Sequence, residues 1–174
     1  SLLSRTIKAA IQSKTIDYIF VSSDLKAILD HAKYKGAIGI KRHKDLSLDT
    51  TSTEPVVLDA LVEMEKKVGK ARLIILLQCT SAFTTSTEID TVVKALEKDK
   101  EGHDAAFAAS ECHSFIWNYN EGKKEASGVN HISNLPRRRR QDITAKQYLE
   151  IGSVYAIRRE SLVRTGSRFG SSPI

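Results

Sequence analysis

Polar side chains follow the most apolar run of the sequence, where they could contact a ligand. The run extends from Leu73 to Leu77, and residues 78–81 (Gln-Cys-Thr-Ser) come directly after it. In α/β proteins, ligands bind beyond the carboxyl ends of the strands, so Gln78 and Ser81 are candidate contact residues. A plain strand-to-helix loop explains the same residues, and on this motif alone it is the stronger interpretation.

A second candidate is a hydroxyl-rich loop that leads into a helix. Lys41 and Arg42 begin it, and residues 49–53 (Asp-Thr-Thr-Ser-Thr) end it. The first turn of a helix offers free N–H groups to an anion such as a phosphate. N-capping of the helix explains the serine and threonine residues equally well.

A third candidate is the run of four arginines at positions 137–140, which Gln141 and Asp142 follow. The run has three interpretations: a solvated basic loop, a nuclear-import or nucleic-acid patch, or a clamp for phosphate or carboxylate. The sequence holds five phenylalanines, five tyrosines and one tryptophan, and none interleaves with the arginines. This weakens the nucleic-acid interpretation, because bases stack on such rings.

Composition narrows the class of protein. The chain has 174 residues, typical of one domain, and a net charge of +6 that favours an anionic partner. No apolar run approaches the 18 residues of a membrane span. Cys79 and Cys112 are a poor disulfide framework, so we expect a reduced, cytoplasmic protein without a Cys/His metal site.

Because the chain starts at Ser1 and its only methionine is Met64, we expect further sequence upstream.

Helical and strand patterns alternate along the chain and position these candidates. The predicted strands are Tyr18–Val21, Ala37–Ile40, Leu73–Leu77, Ala105–Ala109, Phe115–Tyr119 and Ser153–Ile157. Helices are predicted between them, with Asp24, Thr53 and Ser86 or Thr87 at their starts. Such alternation predicts an α/β fold with helices on both faces of the sheet, and Leu73–Leu77 as a central buried strand.

Four segments in this order resemble motifs of the CMP-acylneuraminate synthetase family. Val21-Ser22-Ser23-Asp24 resembles the family's V-S-T-D. Arg42, residues 49–53 and Val57-Leu58-Asp59-Ala60-Leu61 resemble R-x-x-E-L-x-x-D-T-A-S-S and the helix after it. Residues 76–82 resemble L-L-Q-P-T-S-P. Residues 139–142 and Gly152-Ser153-Val154-Tyr155 resemble R-R-Q-D followed by E-N-G-A-I-Y. The resemblance extends from Leu2 to about Val163.

The resemblance implies a three-layer, Rossmann-like nucleotidyltransferase fold with a mainly parallel sheet. It implies one cytidylyltransferase-like domain over residues 1–174, truncated at both ends, with a basic substrate loop at 121–144. In the implied reaction the anomeric hydroxyl of a sialic-acid-type sugar attacks the α-phosphorus of CTP and pyrophosphate leaves. Mg²⁺ is the implied cofactor, with its ligands outside this chain.

The resemblance also assigns roles residue by residue. Arg42 and Ser52 are expected at the nucleotide, and Gln78, Ser81 and Tyr155 at the sugar acid. Arg140 is expected to be catalytic, facing the sugar carboxylate or the phosphates, while Arg137 and Arg138 are largely solvated. The implied partners are CTP and an acidic sugar, with a homodimer as a further expectation, and neither a membrane nor nucleic acid is expected. The arginine run leaves nuclear localisation open for a eukaryotic source.

Departures from the family pattern leave alternatives open. The family's A-R-G-G-S-K-type loop for the triphosphate and its acidic S-I-D-I-D segment are absent, so the chain alone is expected to be inactive. Cys79 and Ala82 replace prolines, and Ile151 replaces an asparagine. The alternatives are a cytidylyltransferase for another sugar acid and a non-catalytic binding or interaction module.

Overall fold

The described residues fold into two compact units. The structure is a computed structural model and describes residues 1–143 and 145–174. Unit 1 comprises Ser1–Ala108 and Ile151–Ile174, and unit 2 comprises Ala109–Glu150. The predicted substrate loop 121–144 falls in unit 2, and its last residue, Thr144, lies outside the described residues. That the whole chain is one domain stays a prediction.

Helices and strands alternate as predicted, and the α/β class is confirmed. In chain order the elements are α1 (Leu2–Gln12), β1 (Phe20–Ser23), α2 (Lys26–Tyr34), β2 (Ile38–Lys41), α3 (Thr53–Val68), β3 (Leu73–Leu77), α4 (Ser86–Lys98), β4 (Ala105–Cys112), β5 (Trp117–Asn120), β6 (Glu125–Gly128), β7 (Gln147–Arg158) and α5 (Arg159–Thr165). Short 3₁₀ turns occupy Lys44–Leu46 and Arg140–Asp142.

The strands pair in a way that corrects the prediction of a mainly parallel sheet. Strands β1 and β2 are parallel, whereas β3 pairs with β7, and β5 with β6, in antiparallel fashion. A helical crossover makes the two strands that it connects parallel. The chain between β4 and β7 contains the β5–β6 hairpin instead of such a crossover helix. The direction of β7 is therefore not fixed by a crossover helix.

The central strand of unit 1 is β7, and the prediction that gave this place to β3 is wrong. The sheet has the order β3–β7–β4, with β3 at one end. Residues Val154 to Ile157 of β7 are each at most 3% exposed, whereas only Ile74 of β3 is fully buried. An apolar run predicts burial, but it does not tell a central strand from an end strand that helices cover.

Helix α4 illustrates where local sequence rules succeed. Its buried residues Ile89, Val92, Val93 and Leu96 repeat at helical spacing, as predicted. The hydroxyl of Thr85 caps it by accepting from the backbone N–H of Glu88 at 3.2 Å. The prediction that Asp24 caps α2 is wrong, because Leu25 is the N-cap of that helix. Thr53 is also not a cap, since Ser52 holds that position in α3.

Candidate active site

A left-handed glycine in β7 is the centre of the candidate site in unit 1. Gly152 has φ +64°, and its carbonyl accepts from the Ser81 hydroxyl at 2.9 Å. The hydrogen-bond network assigns the Gln78 amide so that its nitrogen also donates to this carbonyl at 2.9 Å. Two residues that the resemblance placed at the sugar acid therefore meet at one carbonyl group.

Strand pairing explains why these residues meet. Leu77, the last residue of β3, lies opposite Val154 of β7 in the antiparallel register. The backbone N–H of Gln78 then donates to the carbonyl of Ser153 at 3.1 Å, and the N–H of Ser81 donates back to Gln78 in a turn. A Cβ on Gly152 would lie 3.1 Å from the Gln78 amide, so glycine suits both the backbone angle and the space.

Tyr155 joins this group from the core side. Its side chain is 1% exposed, with the Phe107 ring stacked at 6.4 Å and the Phe169 ring edge-on at 5.6 Å. A Cβ on Gly152 would lie 4.0 Å from the Tyr155 hydroxyl. The ring therefore belongs to the core, and the hydroxyl is the part of Tyr155 that approaches the group.

Arg168 is the member of the group that the sequence did not indicate. Its Nη1 donates to the Gln78 amide oxygen at 2.9 Å, its Nε donates to Glu54 at 2.7 Å, and its guanidinium lies 5.2 Å from the Tyr155 ring centre. Arg168 follows Val163, where the resemblance ends, and an isolated arginine carries no spacing signal. We call Gln78, Ser81, Gly152, Tyr155 and Arg168 the Gly152 cluster.

Glu54 anchors Arg168 to the first turn of α3. The two side chains are 18% (Arg168) and 25% (Glu54) exposed. Burial opposes the charge of Glu54, but the hydrogen bond and charge of Arg168, with the residue's own N–H, hold the pKa of Glu54 below its ordinary value. An ionised Glu54 therefore fixes a guanidinium beside Gln78. Glu54 lies two residues after Ser52, so Glu54 and Arg168 connect the predicted nucleotide side with the predicted sugar side.

The two predicted nucleotide residues lie elsewhere in unit 1. Arg42 follows β2 and donates to the side chain of Ser22 at 3.2 Å and to its carbonyl at 2.7 Å. The parallel pairing of β1 and β2 brings these strand ends together, as ligand sites in such sheets require. Ser52 is the N-cap of α3, and its side chain makes no capping hydrogen bond.

Arg140 lies in unit 2, where it begins the 3₁₀ turn Arg140–Asp142. Its neighbour Arg139 is bound by Asp142 through two hydrogen bonds of 2.8 and 3.2 Å. Arg137 instead lies over the Phe115 ring, 4.6 Å from its centre. The four arginines are therefore not equivalent.

The Gly152 cluster presents donors that could hold an oxygen-rich ligand, and a small cavity lies beside two of its members. The cavity between Glu54, Tyr155 and Arg168 measures about 10 Å³, roughly the room of one water molecule. Within residues 1–143 and 145–174, no three His, Cys, Asp or Glu side chains gather in a way that could hold a metal ion. The described residues therefore offer no cluster of three such ligands for Mg²⁺.

Comparison with known proteins identifies the family. A family model described as cytidylyltransferase matches residues 1–165. The chain belongs to the cytidylyltransferase family. Curated relatives include N-acylneuraminate cytidylyltransferase A of Danio rerio, 28% identical over 160 residues, and N-acylneuraminate cytidylyltransferase of Oncorhynchus mykiss, 29% identical over 166 residues. These alignments cover 91% and 94% of this chain but 36% of each relative, so the chain spans about a third of their length.

A further relative is named for a different sugar acid. CMP-N,N'-diacetyllegionaminic acid synthase of Legionella pneumophila is 36% identical over 83 residues, which are 47% of this chain and 36% of that protein. Together these relatives confirm the resemblance to CMP-acylneuraminate synthetases.

Two solved structures share the fold. One is CMP:2-keto-3-deoxy-manno-octonic acid synthetase complexed with CTP, with a TM-score of 0.62, 19% identity, and coverage of 94% of this chain and 65% of that one. The other is 4-diphosphocytidyl-2C-methyl-D-erythritol synthase of Anaerococcus prevotii, with a TM-score of 0.63, 12% identity, and coverage of 97% and 64%. The Rossmann-like nucleotidyltransferase fold is thereby confirmed.

No helix among the described residues is both long enough and apolar enough to cross a membrane.

Proposed function

We propose that this protein transfers a cytidylyl group from CTP to a sugar acid of the sialic-acid type. The observation that carries the proposal is the Gly152 cluster, because two motifs that were assigned to the sugar acid, one with Gln78 and Ser81 and one with Tyr155, meet around one glycine. Membership of the cytidylyltransferase family and relatives named for N-acylneuraminate support the same reaction.

The reaction exchanges one phosphorus–oxygen bond for another. The anomeric oxygen of the sugar bonds to the α-phosphorus of CTP, the bond from that phosphorus to the bridging oxygen breaks, and pyrophosphate leaves. The hydroxyl proton passes to solvent water as the new bond forms. Such a reaction depends more on positioning and charge neutralisation than on a protein nucleophile.

The sugar side of the site is assigned to the Gly152 cluster. The Gln78 amide nitrogen uses one proton on the Gly152 carbonyl and retains a second for a sugar hydroxyl or carboxylate. Arg168 fixes which way this amide faces, since its Nη1 donates to the amide oxygen. We therefore assign Gln78 and Ser81 to sugar contact, and Arg168 to positioning Gln78.

Contacts with the nucleotide and with the sugar carboxylate are assigned to residues outside the Gly152 cluster. We propose that Arg42 and Ser52 contact the nucleotide, and that Arg140 holds the sugar carboxylate or the phosphates. A fixed guanidinium suits both anions, because its N–H groups match two oxygens at once. Mg²⁺ is proposed for the protein's reaction, and no step is assigned to it among the residues described.

A second sugar acid is the alternative substrate. The observation that favours this alternative is the identity of 36% to CMP-N,N'-diacetyllegionaminic acid synthase over 83 residues of the chain. One hydroxyl or amide contact decides such a choice. A homodimer is a further proposal, which analytical ultracentrifugation tests.

Pyrophosphate release from CTP and Mg²⁺ tests the proposal. N-acetylneuraminate, N,N'-diacetyllegionaminate and 2-keto-3-deoxy-manno-octonate are supplied in turn to a form of the protein that carries the family's triphosphate loop and acidic segment, because the chain alone is expected to be inactive. We expect the highest kcat/KM with N-acetylneuraminate. A higher value with the legionaminate would select the alternative substrate. Saturable binding of a sugar acid without any pyrophosphate release would instead support a non-catalytic binding module.

A further inference from the structure

Unit 2 contains a cavity that the proposed function does not use. Its volume is about 300 Å³, which lies at the lower end of the range of pockets that hold small ligands. One part of its wall is apolar and includes Ile132, Leu135 and Ile143. Another part carries the cations Arg137 and Arg138.

Hydrogen bonds between separate segments hold the wall of this cavity in place without a ligand. The Asn130 amide nitrogen donates to the Ser114 carbonyl at 2.9 Å and to the Gln147 side chain at 2.7 Å. The Asn130 amide oxygen accepts from the backbone N–H of Ile116 at 2.9 Å. Asn130 therefore connects the start of the β5–β6 hairpin with the start of β7. A preformed wall lowers the ordering cost of binding.

Among the described residues, the two cations of the cavity have no carboxylate partner. Neither Arg137 nor Arg138 forms an ion pair with a carboxylate in the part of the chain that the structure describes, and no described Asp or Glu lines the cavity. Arg139, next to them, is neutralised by Asp142. Arg137 is also held in place over the Phe115 ring at 4.6 Å. A purely solvated arginine run would not separate its members in this way.

We propose that this cavity binds a small organic anion. Arg137 and Arg138 hold its phosphate or carboxylate group, since guanidinium groups grip both oxyanions through paired N–H donors. The apolar body of the ligand packs against Ile132, Leu135 and Ile143. Every residue that the proposal uses lies in unit 2, and none of them is assigned a contact with CTP or the sugar acid in the proposed function.

Phenyl phosphate is the probe that tests both parts of the cavity at once. Its binding to the full chain is measured by calorimetry and by NMR of the Asn130 and Gln147 side-chain amides. We expect saturable one-to-one binding that shifts these amides. We also expect affinity about ten-fold above that of inorganic phosphate, which lacks the apolar body, and above that of neutral benzyl alcohol. Benzoate in parallel shows whether carboxylate or phosphate is the preferred group.

Paired variants separate a built site from general charge attraction. Arg137→Gln/Arg138→Gln removes two charges from the cavity, and Lys98→Gln/Lys100→Gln removes two exposed charges near the end of α4. We expect the arginine pair to weaken phenyl phosphate binding at least about ten-fold and the lysine pair to leave it nearly unchanged. Arg138→Gln alone, which keeps Arg137 on the Phe115 ring, serves if the double variant unfolds. Equal losses in the two double variants, non-saturating binding, or amide shifts outside the cavity would overturn the proposal.

Discussion

Arginines of the two units are held in opposite ways. In unit 1 the Arg168 guanidinium donates to Glu54 and Gln78, and the ring of Tyr155 lies beneath it. In unit 2 Arg137 and Arg138 reach a cavity of about 300 Å³ with no carboxylate among its described lining residues. A guanidinium that the protein already satisfies positions its neighbours, whereas one without an anionic partner is available to a ligand. The comparison predicts that changes at Tyr155, Gly152 and Arg168 alter stability, and that changes in the arginine run alter ligand use.

The largest effect on stability is expected at Tyr155. Truncation to alanine should lower the free energy of unfolding by about 3–5 kcal/mol, because the ring is buried among aromatic side chains. Tyr148 is a matched control on the same strand, at 60% exposure, and its truncation should cost less than about 0.5 kcal/mol. Urea unfolding of both variants measures the difference. Similar losses at the two tyrosines would contradict the assignment of the core.

The next effect is expected on catalysis at Arg140. In a form of the protein that releases pyrophosphate, Arg140→Ala should lower kcat/KM by about 2–4 kcal/mol of transition-state stabilisation, as expected for a fixed charged donor. Arg137→Ala should cost far less, since its guanidinium faces the unit 2 cavity. Equal losses in kcat/KM at the two positions would remove the distinction between them.

A smaller effect on stability is expected from the backbone at Gly152. Gly152→Ala should cost about 1–3 kcal/mol, because a Cβ is strained at positive φ and would crowd the Gln78 amide at 3.1 Å. Gly122→Ala in unit 2 is the control, since its nearest neighbour would be 3.5 Å away and its φ lies outside the positive range. We expect its thermal midpoint to stay within about 2 °C of the parent protein. A Gly152 variant of unchanged stability would mean that the cluster tolerates movement of β7.

The Glu54–Arg168 pair allows the pH dependence of the free energy of unfolding to be predicted. Because the folded pKa of Glu54 is lowered, the Glu54–Arg168 pair stabilises the fold above the ordinary glutamate pKa of about 4.3 and is lost as the pH falls through the lower folded pKa. Arg168→Ala should cost about 1–2 kcal/mol at pH 7 and progressively less in acid. Arg139→Ala, which breaks an exposed pair, should cost at most about 1 kcal/mol. A cost of Arg168→Ala that does not change with pH would show that Glu54 is not its partner in solution.

Local sequence signals predicted much of the fold and part of the site. Helix α4 and strand β3 follow from apolar spacing, and the three residues that the motifs assigned to the sugar acid, Gln78, Ser81 and Tyr155, lie in one region. They did not reveal Arg168, because its partners Glu54 and Gln78 are 114 and 90 residues away and only the folded chain brings them together.

The sequence also gave no sign of β6, which lies inside the polar segment predicted as a loop. All four residues of its partner β5 are exposed, so this hairpin depends on backbone pairing rather than on an apolar pattern. The arginine run was conspicuous in the sequence, but the differences among its members depend on Asp142 and Phe115, which spacing does not reveal.

Gln78→Ala provides the most direct test of the proposed function. Binding of N-acetylneuraminate to the variant and to the parent chain is measured by NMR titration, together with the thermal midpoint of each. We predict affinity weakened about ten-fold with the midpoint within a few degrees, because the backbone of Gln78 stays paired with β7 while the sugar loses its donor. A large fall in the midpoint with unchanged sugar affinity would show that Gln78 holds only the fold, and would contradict the placement of the sugar acid at the Gly152 cluster.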